Sequence, residues 1–336
     1  MWFVNKKANP MEYAIFAERP GVRVVSANIK KSILKNLHEW WNQYTRDGFP
    51  GPQPISIERA HFSKLIDNPY WVCAKTDGMR YVMQCVCIED VMYCVLIDRK
   101  TEMYLIDMRT VKDAFLEGTL LDGELVKNQD TNQYDFLVYD SVRVCGKNTT
   151  QLPHSERMKC AASIVECMTI RDHHNVHVRI KPFASLADIK EYTRDVLPSI
   201  PHIHDGLIFT PENSPVVSGT NYDMFKWKPR EKNTVDFWVE QNFRAKNKFI
   251  IKLSKGKYMV CLHDHYIHIP EPMREELPGI VECSYNGKNN WVGMLMRTDK
   301  IYPNSVVTMT KTLLNIQEDI RIEEFEVIKN MSVLQQ

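Results

Sequence analysis

Long apolar runs, Cys-x-x-Cys pairs and an excess of one charge are all missing from this sequence. No stretch approaches the ~18 apolar residues that a membrane-crossing helix needs. The start, Met1 to Lys7, lacks the basic region and apolar run of a secretory signal, so a soluble, intracellular protein with no membrane partner is expected. The nine cysteines (Cys73, Cys85, Cys87, Cys94, Cys145, Cys160, Cys167, Cys261, Cys283) are odd in number, and none pairs at the two-residue spacing of zinc or redox sites. Reduced, buried thiols are expected. A formal net charge of +1 excludes a globally cationic surface, so any nucleic-acid contact must come from local basic patches. Repeats and low-complexity segments are absent too. What is present is ordinary for a globular protein: 336 residues, 44% apolar and 25% charged, enough for about two domains.

Residues 28 to 48 carry a helical pattern through Ile33, Leu34, Leu37, Trp40 and Trp41, and the glycines and prolines of residues 47 to 54 read as a loop. Tyr70 to Leu105 reads as a strand meander, rich in β-branched and aromatic residues and broken by charged turns. Two more strands are expected at Thr119 to Lys127 and Tyr134 to Val144, and helices at Ser155 to Met168 and Leu186 to Leu197. Beyond a boundary near Val235, short and regularly spaced strands predict a small barrel. The tail, residues 310 to 334, contains acidic helical sequence from Glu318 to Glu326.

The most informative stretch is Lys75, Thr76, Asp77, Gly78, which offers a lysine amine as a nucleophile toward a nucleotide. Nucleotidyl transfer through a covalent lysine needs a partly neutral amine, a metal, cations for the leaving pyrophosphate, a base pocket and a sugar grip. Free lysine titrates near ~10.4, so neighbouring cations such as Arg80, or desolvation, must activate it. Gly78 lets the chain turn sharply and brings phosphate near the backbone. Downstream, Arg99 and Lys100 follow an apolar strand, Asp122 and Glu124 sit on another, and Tyr139 and Asp140 sit on a third. Asp205 then precedes an apolar strand, and Lys226 and Lys228, two residues apart, project from one face of a strand as a phosphate clamp would. Arg297, Asp299 and Lys300 fall on the barrel. Singly, each has a bland reading as a solvated or packing residue.

In order, Lys75 to Gly78, Asp122 to Leu125, Phe136 to Asp140, Asp205 to Ile208, Lys226 to Lys228 and Arg297 to Lys300 resemble the six collinear motifs of covalent nucleotidyltransferases. The closer resemblance is to messenger-RNA capping guanylyltransferases, particularly the compact type found in a chlorella virus. Pro50 to Arg59, Ile97 to Arg99, Asp236 and Phe237, and Lys311 to Ile316 add to it, over about residues 50 to 326. The first fifty residues receive no role beyond packing.

The resemblance implies an α+β fold: a nucleotidyltransferase domain of antiparallel sheets with flanking helices at 1–235, an OB-fold domain at 236–311 and a helical tail at 312–336. It implies that Lys75 attacks the α-phosphate of GTP, forms lysyl-GMP, and passes GMP to a 5′-diphosphate RNA end. By the same carry-over Arg80 and Arg99 hold ribose or phosphates, Glu124 grips the sugar, and Asp205 binds Mg2+ or Mn2+. Thr76, Asp77 and Gly78 belong to the nucleotide site with Lys75. Lys226 and Lys228 hold the α-phosphate region, Tyr139 stacks on guanine, and Lys181 donates to guanine O6. Asp236, Arg297, Asp299 and Lys300 meet the β and γ phosphates or pyrophosphate when the second domain closes. A separate RNA triphosphatase and cap methyltransferase would supply the other steps; if the source is viral, the host nucleus and cytoplasm are both open.

An ATP-dependent polynucleotide ligase shares the covalent lysine and the architecture, but its last motif ends in a basic pair around a short spacer, unlike Arg297 to Lys300. A non-catalytic remnant of the fold should have lost Lys75 or one of the paired lysines. Eight histidines (His173, His174, His177, His202, His204, His263, His265, His268) lack the cysteine or carboxylate set that would complete a zinc site, and packing or surface roles are expected. The basic run Arg244, Lys246, Lys248, Lys252, Lys255, Lys257 is either a solvated strand face or a guide for RNA phosphates.

Overall fold

The structure, a computed structural model, describes residues 11–42, 49–170, 175–242 and 248–333, with side chains to 328. The chain divides into two compact units, the first holding most residues up to Lys226 and the second Ser56–Ser63 and Trp227–Val327. The chain is α+β: the first unit combines sheets with flanking helices, and the second holds a six-stranded sheet with helices after it.

The first unit is built on a nine-stranded sheet whose centre is formed by the strands Val91–Asp98, Met79–Ile88, Thr119–Lys127 and Tyr134–Val144. Alternation along the strands feeds two cores, one on each face. Val82, Val95 and Leu120 pack against Ile33 and Leu37 of the helix Ala27–Trp40. Met83, Leu96, Leu121 and Phe136 pack with Ala161 and Ile164 of the helix His154–Val165. Arg157 of that helix is buried but satisfied: it donates to Asp140 at 2.6 and 3.0 Å and to the carbonyls of Leu152 and Ser214.

A five-stranded sheet runs Ala184–Ser185, Tyr70–Thr76, His204–Pro211, Gly219–Trp227, Pro52–Ser56. The meander expected from Tyr70 to Leu105 is therefore split. Tyr70–Thr76 belongs to this sheet and Met79–Ile88 to the larger one, so the chain changes sheets at Asp77 and Gly78. Gly78 is needed there: a Cβ on it would lie 2.7 Å from the Leu125 carbonyl oxygen.

The second unit holds a six-stranded sheet, Tyr258–Cys261, Phe249–Lys255, Thr234–Gln241, Gly279–Tyr285, Asn290–Met296, Tyr266–His268, over a core of Val235, Phe237, Val239, Leu253, Val281 and Trp291. Other expected helices differ in detail. The first ends at Trp40, and residues 43–48 lie outside the described residues. Leu186 to Leu197 forms short 3-10, α and π turns instead of one helix, and Pro198, which has no N–H to donate, sits in the last of them. The acidic tail is two helices, Val306–Glu318 and Ile322–Val333, separated where Asp319 adopts φ 45°. No helix among the described residues is long and apolar enough to cross a membrane.

Candidate active site

The change of sheet sets the two ends of the lysine motif on different walls of a cleft of about 350 Å³. Lys75 comes from the end of Tyr70–Thr76, and Arg80 from the start of Met79–Ile88. The cleft is lined by Lys75, Thr76, Asp77, Gly78, Arg80, Arg99, Glu124, Tyr139, Lys181 and Lys226. Asp205 is joined to it through the Lys75 ammonium, which donates to Asp205 Oδ1 at 2.7 Å. Thus residues spread from Lys75 to Lys226 meet in one place, and four of them besides Lys75 are cationic.

Each wall is held from behind. Arg80 donates to both oxygens of the buried Asp122 and to the Pro52 carbonyl. Its guanidinium lies 5.2 Å from the Phe49 ring and 5.7 Å from the Tyr139 ring. Burial works against that charge, but the Asp122 carboxylate outweighs it and holds the Arg80 pKa above its ordinary value. Gly51 leaves room for this arrangement, since a Cβ on it would collide with the guanidinium. Tyr139 donates its hydroxyl to Asp122 Oδ1 at 2.9 Å. Lys181 is buried, donates to Thr76 Oγ1 at 2.8 Å, and lies 3.4 Å from Glu124 Oε2, to which Thr76 also donates. Asp77 is anchored through its amide to the Ile203 carbonyl at 2.8 Å.

Several lining residues carried no role in the sequence reading: Pro52, Gln53, Pro54, Cys73, Phe183, Ile208, Thr210 and Met224. Phe183 is a second aromatic wall, packed edge-on against the buried His154 at 4.8 Å. Its signal was its place two residues beyond Lys181. Burial raises the Cys73 thiol to about 11, so it lines the cleft as a neutral group. Asp140, by contrast, is occupied by Arg157.

The remaining expected residues lie in the second unit. Arg297 donates to Asp299 at 2.9 and 2.8 Å, to Asp236 at 3.3 Å and to Glu282 at 3.2 Å, while Lys300 donates to Asp236. Lys228 also falls in the second unit, so the expected lysine clamp straddles the division, with only Lys226 lining the cleft. In the basic run Lys252 pairs with Glu240 at 2.7 Å, while Arg244 and Lys246, like His173 and His174, lie outside the described residues.

No group of three or more His, Cys, Asp or Glu among the described residues could hold a metal alone. Asp205 still suits a hard cation, because Mg2+ commonly takes one or two protein carboxylates and completes its shell with phosphate oxygens and water.

A strand-end lysine in a cationic, aromatic-walled cleft between two sheets defines a nucleotidyltransferase-type unit, here followed by an OB-type unit. Residues 17–230 match the family model of the mRNA capping enzyme catalytic domain and residues 232–325 that of its C-terminal domain. The chain belongs to the mRNA capping enzyme family. It is 27% identical over 364 residues to the mRNA-capping enzyme subunit alpha of Schizosaccharomyces pombe, covering 96% of this chain and 87% of that protein. It is 28% identical over 332 residues to the mRNA-capping enzyme of Danio rerio, covering 90% of this chain and 53% of that one. Among solved structures, the ATP-dependent DNA ligase from bacteriophage T7 in complex with ATP aligns over 74% of this chain and 98% of its own, at 13% identity and a TM-score of 0.39.

Proposed function

We propose that this protein is an mRNA guanylyltransferase that carries GMP on Lys75. The observation that carries the reading is the Lys75 amine, 2.7 Å from Asp205 in a cleft lined by Arg80, Arg99, Lys181 and Lys226, in a chain of the capping enzyme family.

In the first step Lys75 Nζ, having lost a proton, attacks the α-phosphorus of GTP. The N–P bond forms as the bond to the β-phosphate oxygen breaks, pyrophosphate leaves, and the nitrogen's second proton passes to solvent. In the second step a terminal oxygen of a 5′-diphosphate RNA attacks the same phosphorus, the N–P bond breaks as Lys75 Nζ takes a proton from solvent, and the amine is restored as the cap forms. Splitting the transfer replaces one difficult displacement with two easier ones.

Tyr139 and Phe183 offer ring faces to the guanine, and Lys181 a donor to its O6. Glu124 accepts from the ribose, Thr76, Asp77 and Gly78 form the wall beside it, and Arg80, Arg99 and Lys226 hold ribose and phosphate oxygens. Asp205 holds the Lys75 ammonium before reaction and is the protein ligand for Mg2+ or Mn2+. When bound there, the ion neutralises phosphate charge. Lys228, Asp236, Arg297, Asp299 and Lys300 act from the second unit on the α-phosphate region and the departing pyrophosphate. The other capping steps belong to a separate triphosphatase and methyltransferase.

The test is incubation with α-labelled GTP or α-labelled ATP and either metal, followed by denaturation. Label should remain on the chain with GTP only, be acid-labile and alkali-stable, and disappear in Lys75→Ala. Label from ATP alone would instead make the protein a ligase with a lysyl-AMP intermediate.

A further inference from the structure

The strand that carries Lys75 has a second functional face. Cys73 and Lys75 line the nucleotide cleft, and Ala74 and Thr76, alternating with them, line another cavity of about 320 Å³. This volume lies at the lower end of the range for small-molecule sites. Thr76 and Lys181 are common to both spaces.

The cavity contains a charged network that the nucleotide cleft does not use. Asp135, only 1% exposed, accepts from His202 at 2.8 Å, Asn128 at 2.9 Å and Arg179 at 2.9 Å. Burial pushes its pKa up, but these hydrogen bonds outweigh burial and hold it at about 2. None of these four residues lines the nucleotide cleft. Arg179 commits only Nε to Asp135, so its terminal nitrogens have no partner among the described residues. The rest of the wall is largely apolar, including Leu137, Ile180, Val196 and Ile200. A π-helical turn, Tyr192–Val196, supplies part of that wall, and its Tyr192 hydroxyl accepts from the Ala74 amide at 2.8 Å. Such turns are rare and often found at functional sites.

A cavity whose wall beyond this network is largely apolar, beside an Arg179 side chain that is 56% exposed and keeps its terminal nitrogens unspent, fits an anion that carries a compact apolar body, because Arg pairs with carboxylates through two parallel bonds. We propose that this cavity is a second ligand site, for a small organic carboxylate. Its occupancy is felt at Lys75 through Ala74, Thr76 and Lys181; this coupling, though not the binding itself, rests on the function proposed above.

Benzoate is the probe, titrated calorimetrically into the full chain with inorganic phosphate as a parallel arm. Saturable benzoate binding is expected, weakened roughly tenfold or more in Arg179→Ala by loss of a charged pair, and abolished in Ile200→Trp, which fills the chamber. Both variants should form the GTP adduct normally without benzoate. With benzoate present, the GTP concentration for half-maximal labelling should move about fivefold in the wild type and stay fixed in Arg179→Ala. No saturable binding, binding that survives both substitutions, or phosphate binding as tightly as benzoate would each overturn the site. A wild-type protein that takes no label from GTP would defeat the guanylyltransferase reading alone, and calorimetry would still decide the cavity.

Discussion

Tyr139 presents a ring to the cleft and spends its hydroxyl on Asp122, the carboxylate that fixes Arg80. Tyr139→Phe separates these contributions: the ring stays, and one hydrogen bond worth about 1 kcal/mol goes. Adduct formation at saturating GTP should slow roughly fivefold while the KM for GTP changes little, and initial rates of labelling measure both. Tyr139→Ala should raise KM as well. His154, behind the Phe183 wall, sets a pH limit. Its Nε2 meets the Tyr139 carbonyl at 3.3 Å, its Nδ1 has no partner among the described residues, and burial lowers its pKa against the opposing pull of Asp140, with Arg157 adding to the fall and Glu212 resisting it. Above about 6.5 the ring is neutral folded or unfolded; as pH falls the unfolded ring takes up its proton first. Stability is therefore full above that pH and declines below it. Urea midpoints should fall between pH 7.5 and 5.5, and His154→Gln should flatten the slope. That Lys75, Arg80 and Glu124 would meet in one cleft was legible because each sits in or beside a short, ordered motif, whereas Lys181, which joins them there, lies in none of the six. His154 and Phe183 were not, since their place depends on a helix and a strand end meeting across the fold.

At the scale of elements, close backbone approach is what the sheet interior enforces. A Cβ on Gly123, in Thr119–Lys127, would lie 2.5 Å from the ring of Phe136, which is fully buried on the neighbouring strand. Gly123→Ala should destabilise by about 1–3 kcal/mol through overpacking, seen as a lower urea midpoint with an unchanged slope. The long strands from Thr119 to Val144 and the helix beginning at His154 were readable from their periodicity. The hairpin Met11–Phe16 with Arg19–Val24 was not, because Ala17 and Glu18 turn with φ of 50° and 61°, a conformation usually announced by Asn or Gly. The same reason hid the break at Asp319. The change of sheet after Thr76 was hidden differently: strand propensity on both sides of Asp77 and Gly78 is strong, and only pairing partners distinguish the sheets.

At the scale of the whole molecule, the proposed chemistry divides between the two units. The first holds the amine, the base walls and most of the phosphate cations; the second holds Arg297 and Lys300 among Asp236, Glu282 and Asp299. Arg297 keeps the Asp299 carboxyl at about 2, so the Arg297–Asp299 pair stays ionised at any pH where the protein would be assayed. If the second unit acts on the leaving pyrophosphate, its cations matter only while that bond is breaking, and this separates the two chemical steps. Arg297→Ala should bind GTP within a few-fold of wild type, yet form the lysyl adduct about a hundredfold to a thousandfold more slowly, as expected when a preorganised charge at the reacting phosphate is removed. Transfer of GMP from adduct isolated after prolonged incubation to diphosphate-ended RNA should be nearly unaffected, because pyrophosphate is absent from that step. Equilibrium binding of a fluorescent GTP analogue and single-turnover assays of each step measure the three quantities. Equal losses in both steps would assign Arg297 to holding GMP, and a loss confined to binding would assign it to capture of the nucleotide.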